Sequence, residues 1–369
     1  MGTYSMSTPP AVPVLETSRS RSHSTVLSHN VRKLTATASL TLFAFMLLSA
    51  FLSPFLYMLA TSLKDPLQFS KDGTPLWPAI EETFIYQGKE LIIYNVPTES
   101  GTRQWALLKP GREESLFIDP ANPEAEPVAW KGSWRTLSKN WRFAPVFENF
   151  AYAWKAVNFP VVFTNTLIVT FLGMVGTTVS CTLVAYGFAR FRLPGKGILF
   201  MLLMSTIFLP GMITLAPKYV VYQKLGWIGT WAPLIVPHFF ANAWNVFLLR
   251  QYFLTLPREI DEAAMVDGAG PLRTLISIVL PQSWAAVLVV MTGHFVWAWN
   301  DFFEPLLYLG NKTNLYVISV AIQKFNNQFD NQPHFIQATS LMGLILPLVI
   351  FFFAQRFFMQ GIVMTGVEK

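Results

Sequence analysis

Apolar residues in this chain gather into runs longer than a soluble core requires. A helix rises 1.5 Å per residue and needs roughly 20 apolar residues to cross a bilayer. Six runs meet that length, at about 38–63, 162–189, 198–221, 232–253, 283–307 and 338–358. The pattern changes between the first and second. Residues 64–158 are polar and hold more than half of the acidic side chains. There "TFIYQGKELIIYNV" reads as two strands around Gln87-Gly88-Lys89, and "RQWALLKPGREESLFI" repeats the theme around Pro110-Gly111. The expected fold is an all-α membrane protein with six transmembrane helices and a small β-rich extracytoplasmic insert between helices 1 and 2. Residues 1–33, rich in Ser, Thr and Pro, are expected to form a disordered cytoplasmic tail. Residues 34–63 are the first transmembrane helix, 64–158 the insert and 159–369 a five-helix core. A cleaved signal peptide fits poorly, because the tail is long and the following apolar run exceeds an h-region.

Several runs contain proline: Pro54, Pro210, Pro217, Pro233, Pro237 and Pro347. Proline is costly inside a soluble helix, but neighbouring helices and water can satisfy the freed backbone groups in a membrane bundle. The second run also carries Gly173, Gly176, Thr177, Ser180, Ala185 and Gly187. Such small residues let helix backbones approach closely. Composition strengthens the membrane reading. Hydrophobic residues make up 52%, charged residues 13%, and the mean hydropathy is +0.40. Soluble domains carry about a quarter charged residues.

The net charge of +6 matters less than where its cations lie. Arg32 and Lys33 flank the first run; Arg190, Arg192 and Lys196 follow the second; Arg250, Arg258 and Arg273 lie between the fourth and fifth; Arg356 ends the sixth. The positive-inside rule then makes both termini cytoplasmic, in a multi-pass protein of a prokaryotic plasma (inner) membrane. The lone Cys181 reads as a small buried hydrophobe. His23, His29, His238, His294 and His334 show no metal-ligand spacing, so no metal site is expected. No Ser/His/Asp set or carboxylate pair marks a hydrolytic site. "LPGKG" at 193–197 lacks the upstream glycine and the hydroxyl residue of a phosphate loop.

One polar stretch, 255–282, interrupts the apolar runs on the cytoplasmic side. Pro257 suits a first helical turn, and Glu259, Asp261 and Glu262 sit where a helix N-terminus favours acids. The helix should stop at Asp267-Gly268, and Pro271 should open a second helix ending near Pro281. Ala263 and Ala264 leave low relief for a partner protein. A helix-turn-helix DNA reader would also place Ala and Gly at its turn, but its second helix should be polar and basic. Here that helix reads "PLRTLISIVLP", with Arg273 its single cation. A plain solvated loop is the other alternative.

The spacing Glu262-Ala263-Ala264, three residues, Gly268, nine residues, Ile278-x-Leu280-Pro281 resembles the coupling-loop signature of ABC-importer permease subunits. "LPREIDEAA", "FVWAWNDFFEPLLYL", "AYGFARFRLPGKG" and "FMQGIVMTGVEK" are similar to carbohydrate-importer permeases, of the maltose-type second permease. The insert lies outside the resemblance. The resemblance implies a transport subunit, not an enzyme, for a sugar or oligosaccharide. Its partners would be a second permease subunit, two ATPase subunits that bind ATP and Mg, and an extracytoplasmic solute-binding protein. It implies no cofactor in this chain and no nucleic acid. Glu262, Ala263, Ala264, Gly268, Ile278, Leu280 and Pro281 would form the ATPase-coupling set, with Gln360 and Gly361 a further contact.

Asn300, Asp301 and Glu304 fall near the outer end of the fifth run, and Asn242 and Asn245 in the fourth. Polar groups at such depth suggest a solute path, as does Trp297, or else bonds between helices. Trp297 and Trp299 are better explained as interfacial anchors, the ordinary role of tryptophan at a membrane boundary. Other solutes remain open, such as a polyol or a glycerol phosphate ester. So do a secondary transporter, though the first four runs lack embedded carboxylates, and a membrane-bound sugar-processing enzyme.

Overall fold

The computed structural model describes residues 2, 21–326 and 331–363, with side chains described for residues within 32–326 and 331–355. The chain divides into two units, Met1–Tyr57 and Met58–Lys369. The first is dominated by most of helix α1 (Arg21–Ser62), apolar on all sides over its membrane-length part and containing Pro54.

All eight strands of the second unit lie in the segment expected to be β-rich. They are β1 (Ala79–Glu81), β2 (Thr83–Tyr86), β3 (Lys89–Thr98), β4 (Gly101–Lys109), β5 (Glu114–Ile118), β6 (Val128–Lys131), β7 (Ser138–Lys139) and β8 (Trp141–Phe143). An antiparallel sheet runs β2-β3-β4-β5-β6, with β7 also on β3, and β1 pairs with β8. The β2–β3 turn has two residues, Gln87 and Gly88, at φ 49° and 77°. Both are left-handed, as a turn matching the strand twist requires. Lys89, read from sequence as a turn residue, therefore already pairs with Tyr86. Inward alternation collects Tyr94, Val96, Trp105 and Phe117, with Tyr94–Phe117 edge to face at 6.4 Å. The domain is fastened at its base by buried Asn149, whose Nδ2 donates to the carbonyls of Ser62 (2.8 Å) and Lys64 (2.9 Å).

Helix α2 (Glu148–Ala156) leads to α3 (Phe159–Arg190), the long central helix. There follow α4 (Lys196–Ser205), α5 (Gly211–Lys224), α6 (Ala232–Ile235) and α7 (Ala243–Thr255). Next come α8 (Glu259–Val266), α9 (Pro271–Thr274), α10 (Leu280–Gln282) and α11 (Trp284–Asn300). The chain ends with α12 (Phe303–Leu309), α13 (Ile318–Ala321) and α14 (Pro333–Val363), which contains Pro347. Among the described residues, four stretches are long and apolar enough to cross a membrane: Arg32–Ser62, Phe159–Arg190, Ala232–Thr255 and Pro333–Gln355. Two bent pairs would raise the number to six if each is one span.

The third apolar run is thus not one straight helix. It bends by 100° between Lys196–Phe208 and Gly211–Lys224. Pro210, lacking an N–H, cannot continue the first helix and instead starts the second. The fifth run divides as well, because Asp301-Phe302 separates α11 from α12. Of the small residues flagged by sequence for packing, Gly173, Gly176, Thr177 and Ala185 are buried, whereas a Cβ on Gly187 would meet nothing within 4 Å. A Cβ on Gly176 would lie 2.7 Å from the Phe239 ring, and one on Gly173 would lie 2.9 Å from His294 Nε2. Cys181 is fully buried among Ala185, Val246 and Leu249.

Glu81 receives Lys139 at 2.5 Å and Lys71 at 2.7 Å. Burial pushes its carboxyl up, but hydrogen bonds and charge from the two lysines outweigh this and hold it below the usual value. Its contribution is therefore present above the unfolded carboxylate pKa and fades as pH falls through the lower folded value. Glu81→Gln is expected to weaken the β domain by roughly 1 kcal/mol at pH 7, with a smaller difference under acid, read by amide hydrogen exchange of β1 and β8.

Candidate functional site

The polar stretch 255–282 forms an elbow. Pro257 lies just before Arg258, the N-cap of α8, and not inside the first turn as the sequence suggested. Helix α8 ends where expected. Ala269 N–H donates to Ala264 O (2.9 Å) and Gly268 N–H to Met265 O (3.0 Å), the paired bonds of a Schellman ending. That ending needs a left-handed residue, and Gly268 has φ +75°. A Cβ there would meet open space, so the backbone, not crowding, demands glycine. After the turn, α9, a π-helical stretch Leu275–Val279 and α10 run as one arm, bent by 84° from α11.

The two arms attach differently. Leu275 and Val279 are buried in a cluster with Ala185, Tyr186 and Ala189 of α3, Leu249 and Phe253 of α7, and Val287 of α11. Helix α8 buries only Asp261 and Ala264. Asp261 Oδ2 lies 3.0 Å from Arg190 Nε at the end of α3, with the two side chains only 10% and 7% exposed. This is an ion pair by proximity, since neither atom finds a well-aligned hydrogen-bond partner. Arg190 Nη2 donates to Leu256 O at 3.2 Å. Beside the pair, a cleft of about 370 Å³ is lined by Tyr186, Arg192, Arg258, Glu262 and Met265.

Of the coupling set, Glu262, Ala263, Gly268 and Pro281 are exposed, Ile278 and Leu280 are half-buried, and Ala264 is buried at 4%. Ala264 therefore faces its own chain, and the low outward relief belongs to Ala263. Sequence reasoning passed over the exposed apolar side chains beside them: Met265 (67%), Val266 (88%) and Leu272 (61%). It also treated Arg190 as a topology signal and Asp261 as a helix-end acid. The burial and contacts of Gln360 and Gly361 lie outside the described residues.

A second site sits among the membrane helices. Asn242, Asn245 and Trp297 line one cavity of about 540 Å³ with His238, His294, Trp244, Leu248, Val289 and Gly293. Asn242 also caps α7, its Oδ1 accepting from Asn245 N–H at 3.0 Å, and its Nδ2 reaches Cys181 Sγ at 3.6 Å. Asn300 is not in the lining; its Nδ2 donates to Val296 O, one turn back on α11. Trp299 is buried and donates to Gly343 O at 3.1 Å, so the anchor reading is corrected for it. Two of the histidines that looked scattered meet here. The His238 and His294 rings stand 4.6 Å apart, and His294 Nδ1 lies 3.2 Å from Thr177 Oγ1. They are 56 residues apart in sequence, so no local spacing announces them. Among the described residues, no cluster of His, Cys, Asp and Glu could hold a metal.

Residues 131–363 match the binding-protein-dependent transport system inner membrane component family. The chain belongs to this family. It is similar to the osmoprotective compounds uptake permease protein GgtD of Synechocystis sp., at 28% identity over 69% of this chain and 86% of that protein. It is also similar to the sn-glycerol-3-phosphate transport system permease protein UgpE of Rhizobium meliloti, at 32% identity over 54% of this chain and 71% of that one. Its fold is shared by a chain of a bacterial ABC transporter involved in import of the polysaccharide alginate, at TM-score 0.61 and 16% identity, covering 90% of this chain and 98% of that one. This permease is thus a multi-pass inner-membrane transport component and not an enzyme.

Gly268→Ala would force a left-handed conformation on a residue with a Cβ, at about 1–2 kcal/mol. Gly270 has φ −70° and open space, so Gly270→Ala should cost less. Hydrogen exchange of the amides at position 268 and at Ala269 in the purified chain should rise for the first variant and not for the second.

Proposed function

We propose that this permease is half of the translocation pathway of an ATP-driven importer for a sugar or oligosaccharide. A second permease subunit supplies the other half. Two cytoplasmic ATPase subunits, which bind ATP and Mg, grip the elbow, and an extracytoplasmic binding protein delivers the solute. In this reading the bent pair Lys196–Phe208 and Gly211–Lys224 is one span and α11 is another, with the arm Pro271–Gln282 at its cytoplasmic end, giving six. Both termini are cytoplasmic, and the insert with its β domain lies outside.

The observation that carries the coupling role is the two-sidedness of α8. Asp261 and Ala264 face the chain, while Glu262, Ala263, Met265 and Val266 face away from it. An apolar patch rimmed by a carboxylate suits a protein groove with a cation at its edge. When ATP closes the ATPases, the elbow moves, and the helical bundle changes from inward-facing to outward-facing. Hydrolysis resets it.

The cavity supports a neutral hydroxylated solute. Asn and His side chains offer donors and acceptors, and Trp faces suit the apolar face of a sugar ring. Asp301 and Glu304 line an adjoining pocket that shares His238 and Trp297; Lys218 lies 3.5 Å from Glu304, so Asp301 is the acid that disfavours an anion there. A glycerol phosphate ester is the second reading, favoured by the name of the Rhizobium relative.

Affinity capture on the full chain should bring down an ATPase and a second permease. Glu262→Lys with Val266→Asp should lower ATPase capture about tenfold, equivalent to about 1.4 kcal/mol, while the second permease still co-purifies. Solute transport by the wild-type chain alone, without ATP, would overturn the reading. Asn245→Ala with Trp297→Ala should reduce uptake of a neutral sugar in the assembled complex and leave ATPase capture unchanged. Faster uptake of a glycerol phosphate ester than of any neutral sugar would favour the second reading.

A further inference from the structure

We propose that Arg190 and Asp261 are a positioning pair: a buried ionic pin that delivers displacement of the elbow to the end of α3. The proposal rests on the coupling role of the elbow given above. Its argument is mechanical. The second arm of the elbow is held by apolar packing, through Leu275 and Val279. The first arm, α8, has no comparable grip, since its buried residues are Asp261 and the small Ala264, with Ile260 only half-buried. Among the described residues, Asp261 makes the one salt bridge from α8, and it reaches the last residue of α3.

Removing two charges from water is unfavourable unless they meet, so a pair this buried holds its two elements in one arrangement. Arg190 is fixed in turn by its bond to Leu256 O, on the segment that enters α8. Tyr186, one turn earlier on α3, is buried beside the pair and packs on Phe253 edge to face at 6.5 Å. Helix α3 also carries Gly173, Gly176 and Thr177, which contact His238, Phe239 and His294 at the membrane cavity. A push on α8 therefore has a direct route along one rigid helix to the cavity wall. Without the pin, α8 could tilt in its socket, and the push would reach α3 only through the apolar packing of the second arm.

The test uses the full importer complex in proteoliposomes. It compares Asp261→Asn, Arg190→Gln, Arg190→Lys and the exchange Arg190→Asp with Asp261→Arg. ATPase capture and solute taken up per ATP hydrolysed are both measured. The expected result for Asp261→Asn and Arg190→Gln is capture within about twofold of wild type and uptake per ATP lowered about tenfold. Arg190→Lys or the exchange should recover part of the loss. A simple packing role would not be rescued by restoring charge. Wild-type uptake per ATP in both single neutral variants overturns the pin. So does a loss that neither Arg190→Lys nor the exchange improves, or failure of Asp261→Asn to accumulate, which would make the pair a folding requirement. Failure of the wild-type chain to capture an ATPase overturns the coupling role and the pin together.

Discussion

A buried carboxylate on a mostly exposed helix of eight residues is unfavourable unless an opposite charge meets it, and Arg190 does so at 3.0 Å. The arrangement of the elbow depends on that contact. With α8 fixed by Asp261 and the second arm fixed by Leu275 and Val279, the elbow has two attachments to the bundle. Its Schellman ending at Gly268 removes freedom between them. The outward residues Glu262, Met265, Val266 and Leu272 are thus presented on a stiff frame. A stiff frame can transmit force, whereas a loop of the same composition would absorb it.

Close approach to α3 is the second organising constraint. Gly173 and Gly176 admit His294 and Phe239 to distances a side chain would block. Room for the His238–His294 pair, and so one wall of the 540 Å³ cavity, exists because α3 has no Cβ at Gly173. The same helix ends in Arg190 and begins beside α2, whose Asn149 fastens the β domain. A single long helix thereby touches the features on which the proposed function rests.

The membrane character was legible because apolar runs of bilayer length have no other solvent. The elbow was legible because its glycine, prolines and acids are local backbone signals, and α8 stops at the residue those signals name. The hairpin at Gln87-Gly88 was legible for the same reason. The bend at Pro210 was visible as a proline, but its 100° angle depends on what packs either side. Trp299 illustrates the limit. A tryptophan near a span end is as compatible with a lipid boundary as with a core, and its bond to Gly343 is set by a helix 44 residues away.

By itself, the sequence determined the solvent, the segment types and the position of the elbow, because each follows from composition and short-range spacing. Tertiary structure decided which side of α8 is free, which asparagines share a cavity, that two distant histidines stand together, and that Arg190 has a partner. Those outcomes depend on long-range packing across helices, where burial and charge pairing select one contact among many that the linear order allows.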